Sequence, residues 1–186
     1  MAPSAESTGS GLDQAAEALE RAFDGVRVKA GKGVPHAHEV AATLREAGCS
    51  EDVQIAGLLH DVVEDTTWTV GDVSRVFGRP VAALVAAVTE DGHIASYPRR
   101  KRALREQTAA AGAAAVDIAL ADKVASLRYA LRSGKRVAKR KIAHYEATIA
   151  LARQAAHPGL GVEAGRLLAE VAARDGRTLT AAPAAR

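Results

Sequence analysis

The stretch Gly57-Leu58-Leu59-His60-Asp61-Val62-Val63-Glu64-Asp65-Thr66 decides both the fold and the chemistry that we predict for this chain. A histidine and an aspartate stand side by side in it, and a glutamate–aspartate pair follows one helical turn later. At about 100° per residue, these four polar side chains fall within an arc of about 140° on one helix. The apolar residues that precede them predict a helix fixed in a core. Polar groups that converge from a buried helix indicate a reaction site rather than a solvated surface.

The sequence around this stretch predicts an all-α fold of about eight helices. Hydrophobic residues make up 48% of the chain and aromatic residues 3%, and alanine is abundant, a mixture that favours closely packed helices. Ser50 is a candidate N-cap for a helix that continues through Asp65, and Thr69 with Asp72 predicts a capping box at the start of the next one. Glycine and proline at residues 78–80 predict a break. We expect no strand.

Small and polar residues at both ends of the chain bound a single predicted domain. We expect residues 1–11 to form a disordered leader, residues 12–177 the domain and residues 178–186 a disordered tail. Cys49 is the one cysteine, so no internal disulfide can form and a reducing environment is expected. The chain has no signal-peptide pattern and no apolar stretch of the about 20 residues that cross a bilayer. These features predict a cytoplasmic protein without a membrane partner.

The densest charge cluster is basic and comprises Arg99–Arg102 with Arg105 behind it. A nucleic-acid surface requires basic residues along an extended face, whereas this run covers the start of one helix. Aromatic residues are also too scarce for a base-stacking platform. The sequence therefore predicts no nucleic-acid partner. Two interpretations of the run stay open: a solvated helix face, or a clamp for substrate phosphates in which Arg100 and Lys101 are best placed.

Metal ligands must lie far apart in sequence and close in space, and two positions offer partners for His60 and Asp61. His36 opens the preceding helix, and Asp122 is an acid inside the apolar run at residues 118–124. A carboxylate there is costly to bury unless it is hydrogen-bonded, metal-bound or ion-paired, so an ion pair with a nearby lysine or arginine is the alternative. Nitrogen and oxygen ligands without a thiolate suit Mn²⁺, Zn²⁺, Fe²⁺ or Ni²⁺.

The order of these ligands carries a resemblance to a known family. His36, the His60-Asp61 pair and Asp122, in that order and on helices, resemble the HD-domain metal-dependent phosphohydrolase superfamily. A longer match is to the hydrolase domain of the RelA/SpoT-type (p)ppGpp enzymes, at residues 58–66, 77–85, 88–90 and 120–124. The similarity runs from about Val34 to Tyr145. It implies that the fold is the HD-domain helical bundle.

The resemblance also implies a chemistry. One divalent metal, Mn²⁺ by similarity, would be held by His36, His60, Asp61 and Asp122. Glu64 and Asp65 match the family's catalytic acidic pair, which would orient or deprotonate a metal-activated water. Related enzymes remove the 3′-pyrophosphate of guanosine tetra- or pentaphosphate. The expected reaction is therefore removal of the 3′-pyrophosphate of (p)ppGpp, with a small-molecule nucleotide as the partner.

Basic and polar residues around this predicted site match substrate contacts of the family. Lys29 and Lys32, in the glycine-rich loop before the first ligand, loosely resemble basic residues of its nucleotide-binding segment, and a flexible connection without phosphate contact is the alternative for this loop. Ser126 stands where the family often has an asparagine near the substrate. Tyr145 matches an aromatic residue near the nucleotide, and a place in the core or at the rim is the alternative for it.

Several alternatives accompany these predictions. His38 is the rival to His36 as first ligand, but His36 lies four residues before Val40, as the family's first ligand does. The acidic pair that follows the His-Asp couple could be a solvated helix end. The rival functions are another nucleotide phosphohydrolase, such as a 5′-nucleotidase or an NADPH phosphatase, and a catalytically weak nucleotide-binding sensor. The intact acidic pair argues against the sensor, and the serine at Ser126 argues for it.

Overall fold

The computed structural model describes residues 10–28 and 31–179, and every regular element within these ranges is helical. The predicted all-α fold is confirmed. The α-helices are α1 (Gly11–Phe23), α2 (Val34–Glu46), α3 (Glu51–Leu58), α4 (Val62–Asp65), α5 (Val70–Val88), α6 (Tyr97–Ala111), α7 (Ala113–Ser133), α8 (Lys139–Ile149) and α9 (Gly159–Arg174). A 3₁₀ helix, Ala150–Gln154, connects α8 to α9.

Helix α7 is the central helix of the bundle because most of its faces are apolar. It packs against α2, α3, α5, α6, α8 and α9. Its residues Val116, Leu120, Val124 and Leu127 have no exposed surface. Burial of side chains of this size stabilises a fold by about 1.5–3 kcal/mol each. Asp122 therefore belongs to a helix that the core holds on most sides.

Helices α2 and α3 approach each other closely at Gly57. A side chain at this position would place its Cβ 2.2 Å from Cδ1 of Leu44 and 3.4 Å from Cγ1 of Val40. Leu44 and Val40 are fully buried, so neither side chain has free space into which it could move. Glycine permits the two helices to pack at this separation, with His36 on one of them and the turn that carries His60 directly after the other.

The predicted continuous helix through residues 50–65 is wrong, because the chain turns between α3 and α4. The backbone of Leu59 (φ −98°, ψ 5°) departs from helical geometry, and that of Asp61 (φ −94°, ψ −4°) lies at the edge of the right-handed helical region. The N–H of Val62 donates to the carbonyl of Leu59, three residues back, at 3.0 Å. This tighter hydrogen bond ends the regular helix. His60 and Asp61 therefore stand in a turn between two helices rather than on one helix face.

Two local predictions for α5 are confirmed. Oγ1 of Thr69 accepts a hydrogen bond from the N–H of Asp72 at 3.2 Å, and Oδ2 of Asp72 accepts one from the N–H of Thr69 at 2.9 Å, which is the predicted capping box. Gly78 takes φ +85°, in the left-handed region that favours glycine, and α5 kinks there, two residues before Pro80. The second half of α5 then packs into the core against α7.

The N-terminal boundary of the domain differs slightly from the prediction. Ser10 caps α1 through a capping box, so Ser10 and Gly11 belong to the helix rather than to the predicted leader. Residues 1–9 of that leader and residues 180–186 of the predicted tail lie outside the described residues. Leu179 packs against the core. Among the helices of the described ranges, none combines the length and the apolar character that a membrane span requires.

Candidate active site

Three ligand side chains from separate elements meet beside α7. His36 lies in the first turn of α2, His60 in the turn after α3 and Asp122 on α7, and one ligand atom from each lies within 4.8 Å of the other two. The imidazole rings of His36 and His60 are 5.3 Å apart between centroids and inclined by 63°. Nε2 of His36 lies 3.0 Å from Oδ1 of Asp122. Asp61, the fourth predicted ligand, adjoins this group through the His60 side chain.

The hydrogen bonds of His60 leave one ring nitrogen suited to a metal. Nδ1 lies 2.8 Å from the carbonyl oxygen of Gly57, which can only accept, so Nδ1 carries a proton. Nε2 is buried and finds no hydrogen-bond partner among the described residues. Oδ1 of Asp61 lies 3.2 Å from it but outside hydrogen-bonding geometry. Metal coordination requires a ring nitrogen that is unprotonated and not occupied by a hydrogen bond, while the other nitrogen is held by a backbone carbonyl. His60 meets both conditions, so the residues present fit a divalent cation.

The carboxylates of Asp61 and Asp122 give this cluster a negative charge that favours a cation. Burial opposes ionisation of Asp122, but Lys123 and Lys32 outweigh it and hold the pKa of Asp122 well below its usual range. Burial also opposes ionisation of Asp61, and His60 and Lys32 lower its pKa. For His60, burial opposes a positive charge, yet the Asp61 carboxylate raises the pKa of the ring. An environment that favours a proton on this ring also favours a metal ion beside it.

Two lysines balance these carboxylates. Nζ of Lys32 donates to Oδ2 of Asp61 at 2.6 Å, and Nζ of Lys123 forms an ion pair with Asp122. Burial opposes the charge on both lysines, but the aspartates outweigh it and raise the pKa of each lysine. The ion pair considered as the alternative for Asp122 is therefore present together with its contact to His36.

The structure brings one of the two predicted catalytic acids into the pocket at this cluster. Glu64 lines the pocket, as Asp122 does, and its Oε1 accepts a hydrogen bond from the N–H of Glu90 at 2.7 Å. Although the side chain is exposed at the rim, loss of surrounding water and the nearby Asp61 carboxylate raise the pKa of Glu64 to about 7, against the lowering effect of that hydrogen bond. Asp65 follows on the exposed side of α4 and is not among the residues that line the pocket.

The basic residues of α6 divide between the pocket and the loop before the helix. Arg100 donates to Oε2 of Glu90 at 2.6 Å and to the carbonyl of Ile94 at 2.8 Å, and it does not line the pocket. Lys101 forms an ion pair with the other oxygen of Glu90 and lines the pocket, as does Arg105. Of the two predicted clamp residues, Lys101 therefore reaches the pocket, whereas Arg100 holds the loop.

The other predicted substrate contacts are placed unevenly. Lys32 lines the pocket, whereas Lys29 lies outside the described residues. Oγ of Ser126 donates to Oδ1 of Asp122 at 3.3 Å, behind the pocket wall. Tyr145 is buried, and the ammonium of the lysine that follows Asp122 lies 5.5 Å from its ring centroid. Ser126 and Tyr145 therefore adjoin the cluster without lining the pocket.

Three further basic residues line the pocket although we predicted no site role for them from the sequence. They are Arg105, Lys123 and His144. Nη1 of Arg105 donates to Nδ1 of His144 at 3.0 Å, so Nδ1 of this ring carries no proton. Burial and the nearby Lys123 lower the pKa of His144 to about 2. A lysine inside the apolar run at residues 118–124 is the sequence feature that points to Lys123, and the basic run of α6 points to Arg105, whereas no comparable feature marks His144.

Comparisons with known proteins give the family. The model of the HD domain matches residues 14–150 of this chain. The guanosine-3′,5′-bis(diphosphate) 3′-pyrophosphohydrolase MESH1 of Drosophila melanogaster is 41% identical over 97 residues, which cover 51% of this chain and 54% of that protein. MESH1 of Homo sapiens is 36% identical over 122 residues, which cover 63% of this chain and 68% of the human protein. The chain thus spans about half the length of the Drosophila relative.

A solved structure shares the fold over almost the whole chain. It belongs to a metazoan ortholog of SpoT that hydrolyses ppGpp and plays a role in starvation responses. The two structures agree with a TM-score of 0.72 at 27% identity, over 94% of this chain and 100% of the other. This chain therefore belongs to the HD-domain family, among the members that are related to MESH1 and SpoT.

Proposed function

We propose that this chain is a metal-dependent phosphohydrolase that removes the 3′-pyrophosphate of (p)ppGpp. The observation that carries the proposal is the meeting of His36, His60 and Asp122 beside a pocket that His60, Asp122, Glu64 and Lys101 line. A cation site, a carboxyl group that titrates near neutral pH and a phosphate-binding ammonium around one space suit cleavage of a phosphate ester. The MESH1 relatives, which carry this activity in their names, support the choice of substrate.

Membership of the HD-domain family and the His/Asp cluster together indicate a divalent metal. We assign Mn²⁺ to it, with Zn²⁺, Fe²⁺ and Ni²⁺ as ions that the same donors accept. The proposed ligands are His36, His60, Asp61 and Asp122. Oδ1 of Asp61 is the oxygen suited to this role, since Oδ2 is bonded to Lys32. When bound, the ion polarises a phosphate oxygen and lowers the pKa of a water molecule.

Glu64 is the proposed acid–base residue. Its Oε1 is fixed by the backbone N–H of Glu90, so the carboxyl group keeps one orientation at the pocket rim. With a pKa of about 7 it can take a proton from the attacking water and return it to the leaving group near neutral pH. Asp65, the second acid of the predicted pair, lies outside the pocket wall, and we propose that it orients the attacking water from the rim.

The phosphates of the substrate require cations, and we propose that residues on several elements supply them. Lys32, Lys101, Arg105 and Lys123 all line the pocket. Each can donate to a phosphate oxygen, and the arginine can do so with two parallel hydrogen bonds. Lys29 joins this set by resemblance alone.

The remaining predicted residues have supporting roles in this proposal. Arg100 fixes Glu90 and the loop around Ile94. The backbone N–H of Glu90 in turn orients Glu64. Ser126 donates to Asp122 and keeps one of its oxygens in place. Tyr145, which packs close to the Lys123 ammonium, would guide that ammonium towards the substrate.

The test is hydrolysis of ppGpp by the purified protein with Mn²⁺. We expect GDP and pyrophosphate as products, separated by ion-exchange chromatography, and we expect no product with His60→Ala. His93→Ala is the matched control, because His93 is exposed and does not line the pocket, so its loss should leave the rate unchanged.

Other outcomes assign other functions. Release of orthophosphate alone from NADPH or from a nucleoside 5′-phosphate would establish one of the rival phosphohydrolases. Binding of nucleotide and metal with no turnover on a broad nucleotide panel would establish the sensor. Either result overturns the substrate proposal.

A further inference from the structure

A second group of ligand side chains lies apart from the candidate active site. Cys49 follows α2, Asp117 stands in the first half of α7, and His157 lies in the loop before α9. One ligand atom from each lies within 4.8 Å of the other two. Asp117 precedes Asp122 by five residues, about 140° around the helix, so the two carboxylates face different sides of α7. None of these three residues lines the active-site pocket.

The distances within this group are close to those of a metal site. Nδ1 of His157 lies 2.8 Å from Oδ2 of Asp117 and 3.3 Å from Sγ of Cys49. Neighbouring donors in a tetrahedral zinc site are separated by roughly 3.3–3.6 Å, given bonds of about 2.0 Å to nitrogen and oxygen and about 2.3 Å to sulfur. The side chains would therefore need to part by a few tenths of an ångström to admit an ion.

Hydrogen bonds to Asp117 already hold the loop that carries His157 beside the other two side chains of the group. The backbone N–H of His157 donates to Oδ1 of Asp117 at 3.1 Å, so both oxygens of the carboxylate engage one residue. The His157 side chain is 33% exposed and borders a cleft that Thr43 and Glu46 also line. An ion and a water ligand can reach the group from this side, while Cys49 and Asp117 close the other.

The charges of the group favour a cation. Asp117 is 1% exposed, and in the described part of the chain its ion-pair partner is His157. The hydrogen bonds from His157 satisfy both oxygens of Asp117, but a neutral imidazole leaves the negative charge uncompensated, which is costly in a buried position. A divalent ion would supply the positive charge that the carboxylate lacks.

We propose that Cys49, Asp117 and His157 bind a Zn²⁺-class ion at a structural site distinct from the catalytic one. Sulfur, nitrogen and oxygen donors together select zinc or cobalt over manganese, which prefers oxygen and nitrogen. On binding, the S–H bond of Cys49 is replaced by an S–metal bond and the proton leaves to solvent. The ion would tie the end of α2 and the start of α9 to α7, with water in the fourth position.

Co²⁺ provides a direct test because Cys49 is the one cysteine of the chain. The protein is stripped with a chelator and titrated with Co²⁺ while the near-ultraviolet absorbance is recorded. A thiolate-to-cobalt charge-transfer band can arise only from Cys49. We expect this band in the wild type and in His60→Ala, which lacks a ligand of the catalytic cluster, and we expect Zn²⁺ to abolish it by displacement.

Variants within the group complete the test. Cys49→Ser and His157→Gln should both lose the band and should bind one zinc ion fewer per chain than the wild type, while ppGpp hydrolysis with Mn²⁺ is unchanged. Zn²⁺ should raise the unfolding temperature of His60→Ala but not that of the double variant His60→Ala/Cys49→Ser. A wild-type protein that saturates with Co²⁺ and shows no thiolate band overturns the proposal, as does undiminished zinc binding by either single variant. In that case the group is a hydrogen-bonded anchor for the loop.

Discussion

Replacing Gly57 with alanine tests whether the packing of α2 on α3 positions the metal ligands. The added Cβ would stand 2.2 Å from Cδ1 of the fully buried Leu44, so this leucine must change rotamer or the helices must separate. Overpacking of this kind costs about 1–3 kcal/mol, whereas alanine regains about 1 kcal/mol of helix propensity. We expect Gly57→Ala to lower the free energy of unfolding by up to about 2 kcal/mol. We also expect weaker Mn²⁺ binding, because separation of the helices moves His36 away from His60.

A double variant separates the clash from the gain in propensity. Leu44→Ala alone leaves a cavity and should cost about 2–5 kcal/mol. In that background the alanine at position 57 meets the cavity rather than Cδ1, so the clash disappears while the propensity gain remains. The double variant should therefore be more stable than the sum of the single changes by about 1–3 kcal/mol. Gly159→Ala is the matched control, because Gly159 lies at an exposed helix start and, apart from its own helix backbone and chain neighbours, no described atom lies within 4 Å of the added Cβ.

Urea unfolding gives the free energies, and calorimetric titration with Mn²⁺ gives the affinity of each folded protein. Changes at Gly57 and Leu44 that add to within about 0.5 kcal/mol would refute the close contact between the helices. Undiminished Mn²⁺ affinity in a destabilised Gly57→Ala protein would refute the link between this packing and the ligand cluster. Coupling between Gly159→Ala and Leu44→Ala would show that the double-variant comparison reports something other than the clash.

Three further predictions concern the charges in the pocket. Lys101→Met should raise KM for ppGpp about 10- to 100-fold in steady-state assays, since a hydrogen bond from a charged group contributes about 1.5–3 kcal/mol; the exposed Arg102, changed to Met, should have no effect. Asp122→Asn leaves the buried Lys123 unpaired and should cost about 3–5 kcal/mol in urea unfolding, and adding Lys123→Met should restore stability but not Mn²⁺ binding. In the folded protein the pKa of His144 is lowered from 6.5 to about 2. Below pH 6.5 the unfolded chain therefore binds a proton at this histidine while the folded protein does not, so the free energy of unfolding falls as the pH falls from 6.5. Between pH 7 and pH 5 the wild type should lose about 2 kcal/mol that His144→Gln retains, and equal losses in urea titrations of both proteins would contradict a neutral His144.

The all-α architecture could be predicted because each local pattern agreed with the others. The capping box of Thr69 and Asp72 and the break at Gly78 depend on neighbouring residues, so short-range rules suffice for them. The meeting of His36 with Asp122 across 86 positions is long-range, and burial arguments suggested it because an acid in an apolar helix needs a partner. The resemblance to HD-domain enzymes then supplied the order of the ligands.

Other features depend on tertiary contacts that no local pattern encodes. The turn at His60 contains neither glycine nor proline, so periodicity predicted a continuous helix where a single tighter hydrogen bond interrupts it. Arg100 and Lys101 are adjacent in sequence, and the position of Glu90 decides that the first holds the loop while the second lines the pocket. The contact between Cys49 and His157 joins residues 108 positions apart, one of which is a histidine in a loop.

The polar residues of α7 link function to the specificity of the fold. Asp117 is matched by His157, and Asp122 by His36 and Lys123, on an otherwise apolar and largely buried helix. A buried charge without a partner costs several kcal/mol, so each of these pairs penalises a shift of the element that supplies the partner. A change in the register of α2 along α7 would separate Asp122 from His36, and displacement of the loop before α9 would separate Asp117 from His157. The carboxylates proposed as metal ligands thus also fix which surfaces pack against α7, and apolar burial alone would not distinguish between neighbouring registers.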